Sequence, residues 1–129
     1  MKVTGVTVSG FPNWSILMGP NTGPGHTSVL VYTEHQIRCA RQAIRMLIAD
    51  DLCWVDVKRE VMDGYNAGRQ ERMKHTAWSS GCTSWYLNPD GTNHALYPGF
   101  AGEYCLRTRH FKPSEYHLVS LDAVEASAA

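Results

Sequence analysis

The run Gly19-Pro20-Asn21-Thr22-Gly23-Pro24-Gly25-His26 limits what this chain can fold into more than any other segment. Glycine and proline at this density exclude helix and regular strand there, and the apolar stretches on either side leave one arrangement: strand, tight loop, helix. Upstream, Trp14-Ser15-Ile16-Leu17-Met18 reads as a short buried strand of a parallel sheet, preceded by a turn over residues 9–13. Downstream, Thr27 or Ser28 is the expected N-cap of a helix. Its buried stripe is expected at Leu30, Ile37, Ala40, Ile44, Leu47 and Ile48, with Arg38, Arg41 and Arg45 largely on the other face. Asp50-Asp51 sets two anions at the negative end of the helix dipole, so the helix is predicted to end there. A loop of this composition leaves backbone N–H groups uncovered beside the positive end of a helix, a place that favours an anionic oxygen or an electron-rich ring edge.

The rest of the chain continues the alternation. Cys53 to Val57 reads as a strand with one buried face, and residues 60–78 as a second helix with Val61, Tyr65 and Met73 inward. Gly64 and Gly68 each weaken that helix by about 1 kcal/mol relative to Ala. Ser84-Trp85-Tyr86-Leu87, Asn88-Pro89-Asp90-Gly91 and residues 92–96 spell a β-hairpin. A turn at Tyr97-Pro98-Gly99-Phe100 precedes the last ordered segment, 104–111, and residues 123–129 lack a pattern and are expected to fray. The fold class is α/β, dividing at Asp51 into a strand-loop-helix unit (1–50), a helix with an aromatic hairpin (51–122) and a tail (123–129).

Composition narrows the function classes. With 129 residues and 43% apolar content the chain can bury one core. Twelve basic residues balance twelve acidic ones, which gives no field for nucleic acid or anionic lipid, so neither is expected as a partner. The basic clusters 69–74 and 107–112 read either as solvated faces or as a dock for a phosphorylated cofactor. Cys39, Cys53, Cys82 and Cys105 form no close pair and read as free thiols of a cytoplasmic protein. His35 and Cys39 share a helix face without further ligands at metal spacing, so no metal is expected. No apolar run approaches the roughly 20 residues of a membrane span, and the first residues lack a secretory core. The phosphate-loop, dinucleotide and nucleophile-elbow signatures are absent from the sequence. Trp78, Trp85, Tyr86, Tyr97, Phe100 and Tyr104 are expected mostly to form a small core under the hairpin, with one or two rings free to stack on a planar ligand. His26, in the glycine loop, either donates to a ligand or packs the loop.

Taken in order, Gly10-Phe11-Pro12-Asn13, Gly19-Pro20-Asn21-Thr22, Gly25-His26, Ser28, Glu34 and Gln36 resemble the flavin-facing part of Baeyer-Villiger monooxygenases and their flavin-containing monooxygenase relatives. Val55-Asp56-Val57, Asn66-Ala67, Trp78, Gly81-Cys82, Ser84-Trp85-Tyr86-Leu87, Asp90-Gly91, Asn93, Pro98-Gly99-Phe100 and Arg107-Thr108-Arg109 continue the likeness, over roughly residues 3–118. The resemblance implies the C-terminal portion of a two-dinucleotide-binding flavoprotein whose nucleotide-binding Rossmann halves lie outside this sequence. It implies FAD and NADP(H) as cofactors, and a small organic ketone, amine or sulfide as substrate. Oxygen transfer would run through a C4a-peroxyflavin. By the same resemblance Asn21, Thr22, His26, Thr27, Ser28 and Val29 lie at the FAD edge, and Ser84 and Trp85 on the NADP side. Thr83, Tyr97 and Gly102-Glu103 depart from the family pattern, where Arg, Trp and a more aromatic or basic pair are common.

A buried parallel strand needs neighbours on both edges, and few other strands are available here. The isolated chain is therefore expected either to self-associate through an apolar edge or to be completed by a partner chain carrying the Rossmann halves. The alternative reading is a small stand-alone α/β binding module without redox activity.

Overall fold

The computed structural model describes residues 5–81 and 84–128. The elements run α1 (Val29–Ala49), β1 (Leu52–Val57), α2 (Arg59–Met73), a 3-10 turn (Ala77–Ser79), α3 (Ala101–Thr108), a second 3-10 turn (Pro113–Glu115), β2 (Tyr116–Ser120) and α4 (Leu121–Ala128). Strand β1 pairs antiparallel with β2, from Leu52 opposite Ser120 to Val57 opposite Tyr116, with a register irregularity between Leu52 and Trp54. Among the described residues the result is a small α/β unit of four helices and one two-stranded sheet.

Helix α1 starts and stops where capping chemistry predicts. The Ser28 hydroxyl accepts from the Leu30 N–H at 3.3 Å, and the chain leaves the helix at Asp50, followed by Asp51 at φ 47°. Its buried face differs from the expected one. Tyr32, Gln36, Cys39 and Ala43 are buried, whereas Leu30, Ile37, Ile44 and Ile48 are exposed. Gln36 is buried because both ends of its amide are used: Oε1 accepts from the Met18 N–H at 2.8 Å and Nε2 donates to the Tyr104 hydroxyl at 2.9 Å.

Two apolar clusters hold the unit. Val55, Val57 and Tyr116 gather Met46, Leu47, Val61, Met62 and Phe111 around the sheet. Tyr32, Tyr97 and Tyr104 form the second, with the Tyr32 and Tyr104 rings stacked at 4.5 Å and Tyr97 edge-on to both. Helix α2 turns Tyr65 and Met73 inward as expected, while its two glycines face open space.

Three expected elements are corrected. Residues 14–18 are not a buried strand: among the described residues the only ladder contact there is a single bridge from Ser15 to Thr7, and Trp14 and Leu17 are exposed. Asn13 and Met18 adopt positive φ, which breaks an extended run at both ends. Asn13 instead covers the free edge of β1. Its N–H donates to the Val55 carbonyl, its side-chain oxygen accepts from the Val55 N–H, and its amide donates to the Cys53 carbonyl, each at 3.0 Å. Residues 84–96 form turns and not a laddered hairpin, closed by the Asn88 N–H to Thr92 carbonyl bond at 2.9 Å. The tail, read as patternless, carries the exposed helix α4. Strand β2, unread in the sequence, supplies the ladder partner of β1 from some sixty residues away.

Candidate functional site

The loop over residues 19–25 is pinned from three sides. The Asn21 N–H donates to the His94 carbonyl at 2.7 Å, the Gly23 N–H to the Ala95 carbonyl at 2.8 Å, and Gly23 in turn accepts from the Tyr97 N–H at 2.8 Å, forming a parallel bridge to Leu96. Two donors expected to stay uncovered are thus used inside the chain. From α2, Gln70 grips the Asn93 backbone with both ends of its amide, at 2.8 and 3.3 Å, and Asn66 accepts from Asn21 at 3.3 Å. The glycines permit this closeness: a Cβ on Gly23 would meet the Ala95 carbonyl at 2.7 Å, and one on Gly25 would overlap the Trp78 ring.

The residues expected at the FAD edge divide into two sets. Asn21 and Thr22 are buried, Asn21 held by Asn66 and Gln70 and Thr22 by the Gly19 carbonyl. Their side chains shape the loop and are closed to a ligand. His26, Thr27, Ser28 and Val29 are exposed and form the entrance of α1. The first N–H groups of a helix have no intrahelical acceptor, and no acidic residue occupies this first turn, so the positive end of a 21-residue helix opens outward here. His26 packs packing-loop fashion against a ring the sequence did not link to it: Phe100, the N-cap of α3, stands edge-on at 6.1 Å and is 79% exposed.

The two residues expected on the NADP side lie beyond Trp78. The Trp78 ring, packed under Gly25, meets Tyr86 edge-on at 5.8 Å, and the Tyr86 N–H donates to the Ser84 hydroxyl at 3.2 Å. Trp85 is 94% exposed. The contacts therefore run unbroken from the glycine loop to Ser84, and Trp85 stands free at the end of the path. Cys82 and Thr83 lie outside the described residues. Of the six aromatic residues expected mostly to form a core, only Tyr97 and Tyr104 are buried, because Tyr32 from α1 completes their cluster.

Behind this entrance the two basic clusters converge on one carboxylate. Arg72 donates to Glu103 through both terminal nitrogens and Arg107 through Nε at 2.8 Å. The buried Arg69 lies 3.9 Å from the same carboxylate, with its guanidinium over the rings of Tyr65 and Tyr97 at 5.3 and 5.2 Å. Hydrogen bonding from Arg72 outweighs partial burial and holds the Glu103 carboxyl down at about 2. Arg69 is thus neither a solvated face nor an open dock. Burial pushes the Tyr32 hydroxyl up to about 12, so this ring cluster stays neutral. Among the described residues no three His, Cys, Asp or Glu side chains gather into a metal site, and no helix is long and apolar enough to cross a membrane.

No family model matches the chain. It is 42% identical over 118 residues to a Baeyer-Villiger monooxygenase of Pseudomonas aeruginosa and 36% identical over 117 residues to one of Streptomyces coelicolor, matching 90% and 89% of this chain. It spans 22% of the length of each of these curated relatives. Its fold superposes on an oxidised steroid monooxygenase bound to NADP with a TM-score of 0.76 at 21% identity, covering 92% of this chain and 23% of that one. By sequence the chain belongs to the Baeyer-Villiger monooxygenase family, and its fold is the counterpart of the C-terminal part of such proteins.

Proposed function

We propose that the chain supplies the flavin-edge helix and part of the substrate lid of an FAD- and NADP(H)-dependent monooxygenase, acting only together with nucleotide-binding halves. The observation that carries this reading is the exposed, acid-free N-terminus of α1 at residues 26–29, fixed by a loop that the chain's own contacts make rigid. FAD, when bound, supplies the activation of dioxygen that places one oxygen atom on a ketone or a soft nitrogen or sulfur. The chain's residues supply the surroundings. The backbone at Thr27, Ser28 and Val29 would hold the flavin, since its N–H donors and the positive helix end favour the negative charge that a flavin gains on reduction. Asn21 and Thr22, buried, keep that backbone in place. Trp85 offers an exposed indole on which a nicotinamide nucleotide would stack, and Ser84 lies beside it. Phe100 and His26 border the entrance and shape what reaches it.

The test is oxygen consumption. The chain is mixed with the polypeptide encoded directly upstream, produced separately, and supplied with FAD, NADPH and a panel of ketones and sulfides. The reading predicts NADPH oxidation coupled to substrate oxygenation only when both polypeptides are present. Coupled turnover by the upstream polypeptide alone, at the same rate, would remove any part for this chain.

A further inference from the structure

Leu30, Ile37 and Ile44 are seven residues apart and Ile48 follows four later, so all four lie in one strip of α1, opposite the face that Tyr32, Gln36, Cys39 and Ala43 bury. The strip is 50–74% exposed. Beside it opens a groove of about 330 Å³ with a mixed lining, the apolar side chains of Ala40, Ile44, Leu47, Phe11 and Trp14 alternating with polar groups of Thr7, Asn13 and Ser15. Phe11 and Trp14, half exposed and paired edge-on at 5.2 Å, extend the apolar surface across the groove. Arg38, Arg41 and Arg45, all exposed, border the other flank of the strip, and Glu34 is the only acidic residue of α1.

Resting on the reading proposed above, we infer that this face of α1, with the Phe11–Trp14 groove, is the surface that docks the nucleotide-binding halves of the monooxygenase, through an apolar patch with an acidic border. Three observations select that occupant. The stripe has the spacing of a buried helix face, yet no described residue of this chain covers it. The curated relatives carry more than three quarters of their length outside the part matched here, so the bulk of such a protein must seat against this unit. The area fits as well. A folded monomer of 14.4 kDa exposes about 6,800 Å² by the scaling of surface with mass, and this chain exposes 7740 Å². The excess of about 900 Å², to which the exposed helix α4 also contributes, is of the order of what one partner gives to a standard interface, about 800 Å². The row of arginines then calls for carboxylates on the docking rim, which steer association and fix its register.

The experiment compares the wild-type chain with an Ile37→Ser/Ile44→Ser/Ile48→Ser variant and a control, Leu106→Ser/Leu121→Ser, whose side chains are equally exposed but lie off α1. Sedimentation velocity and FAD titration are run on each with the upstream-encoded polypeptide, produced separately. Circular dichroism melts verify that the variants keep their fold, as substitution at exposed positions implies. The expected result is a wild-type heterodimer weakened 30-fold or more by the stripe variant and less than 3-fold by the control, more steeply at high salt. Equal weakening by both variants overturns the proposal, as does absence of a wild-type heterodimer, or a homodimer through the stripe that persists when the other polypeptide is added. A wild-type pair that binds FAD and is untouched by the stripe variant overturns the docking face and leaves the flavin reading intact. A stripe-dependent pair that binds no FAD upholds the face and removes the flavin reading.

Discussion

Arg72 and Glu103 form a two-pronged ion pair that ties α2 to α3, and through that one carboxylate the chain also compensates the buried Arg69 and anchors Arg107. Because hydrogen bonding depresses the folded-state pKa of Glu103 to about 2 from an ordinary 4.5, the stability it contributes is full above that ordinary value. It is lost as pH falls from about 4.5 toward 2. Discounted for the partial exposure of the pair, the contribution is about 2 kcal/mol.

Glu103→Gln is therefore expected to lower stability at pH 7 by about 2 kcal/mol and to leave wild type and variant converging near pH 2. Urea unfolding from pH 2 to 7 measures both. A constant difference across that range would show that the carboxylate charge is not the source of the effect.

Gly23→Ala tests the loop. The added Cβ meets a backbone carbonyl, that of Ala95, which cannot swing aside, so the bridge to Leu96 must open. The expected loss is about 1–3 kcal/mol. Amide exchange should quicken at Asn21, Gly23 and Tyr97 together, since their hydrogen bonds tie the same two segments. Unchanged exchange at these three amides would contradict the pinned loop.

Much of this was legible in the sequence, and the failures have a common cause. The ends of α1 followed from Ser28 and Asp50-Asp51, since caps are local chemistry. Its inward face did not, because periodicity reports that a stripe is fit for burial without saying by what. The chain buries Tyr32 and Gln36 because Tyr97, Tyr104 and Met18 arrive from distant segments to receive them, and it leaves the Leu30–Ile37–Ile44–Ile48 stripe bare. The strand expected at 14–18 failed on two positive φ angles at Asn13 and Met18, which apolar patterning does not encode. In the site, the exposed entrance 26–29 followed from the glycine-rich loop. The burial of Asn21 and Thr22 rests on Asn66, Gln70 and residues 93–96, which only the fold brings near.

Ser28→Asp separates capping from cofactor electrostatics. Aspartate caps a helix as well as serine, so stability of the chain should change by less than about 0.5 kcal/mol. In the assembled protein the added charge opposes the negative edge of reduced flavin and should lower the two-electron midpoint potential by about 20 mV. A potential unmoved by the substitution would place the flavin elsewhere.

Trp85→Ala should leave the melting temperature of the chain unchanged within about 2 °C, since the ring is 94% exposed. In the assembled protein, nicotinamide-nucleotide affinity should fall about tenfold, the upper range of a lost stacking contact. A variant that binds NADP(H) like wild type would take Trp85 out of the nucleotide site.

The central claim is that the entrance of α1 completes a flavin site with the nucleotide-binding halves. It is tested most directly by titrating FAD, followed by fluorescence and absorbance, into the chain alone, the upstream polypeptide alone and the two together. The account predicts tight binding by the pair, weak binding by the upstream polypeptide, and none by the chain alone. Equal FAD affinity with and without the chain would contradict it.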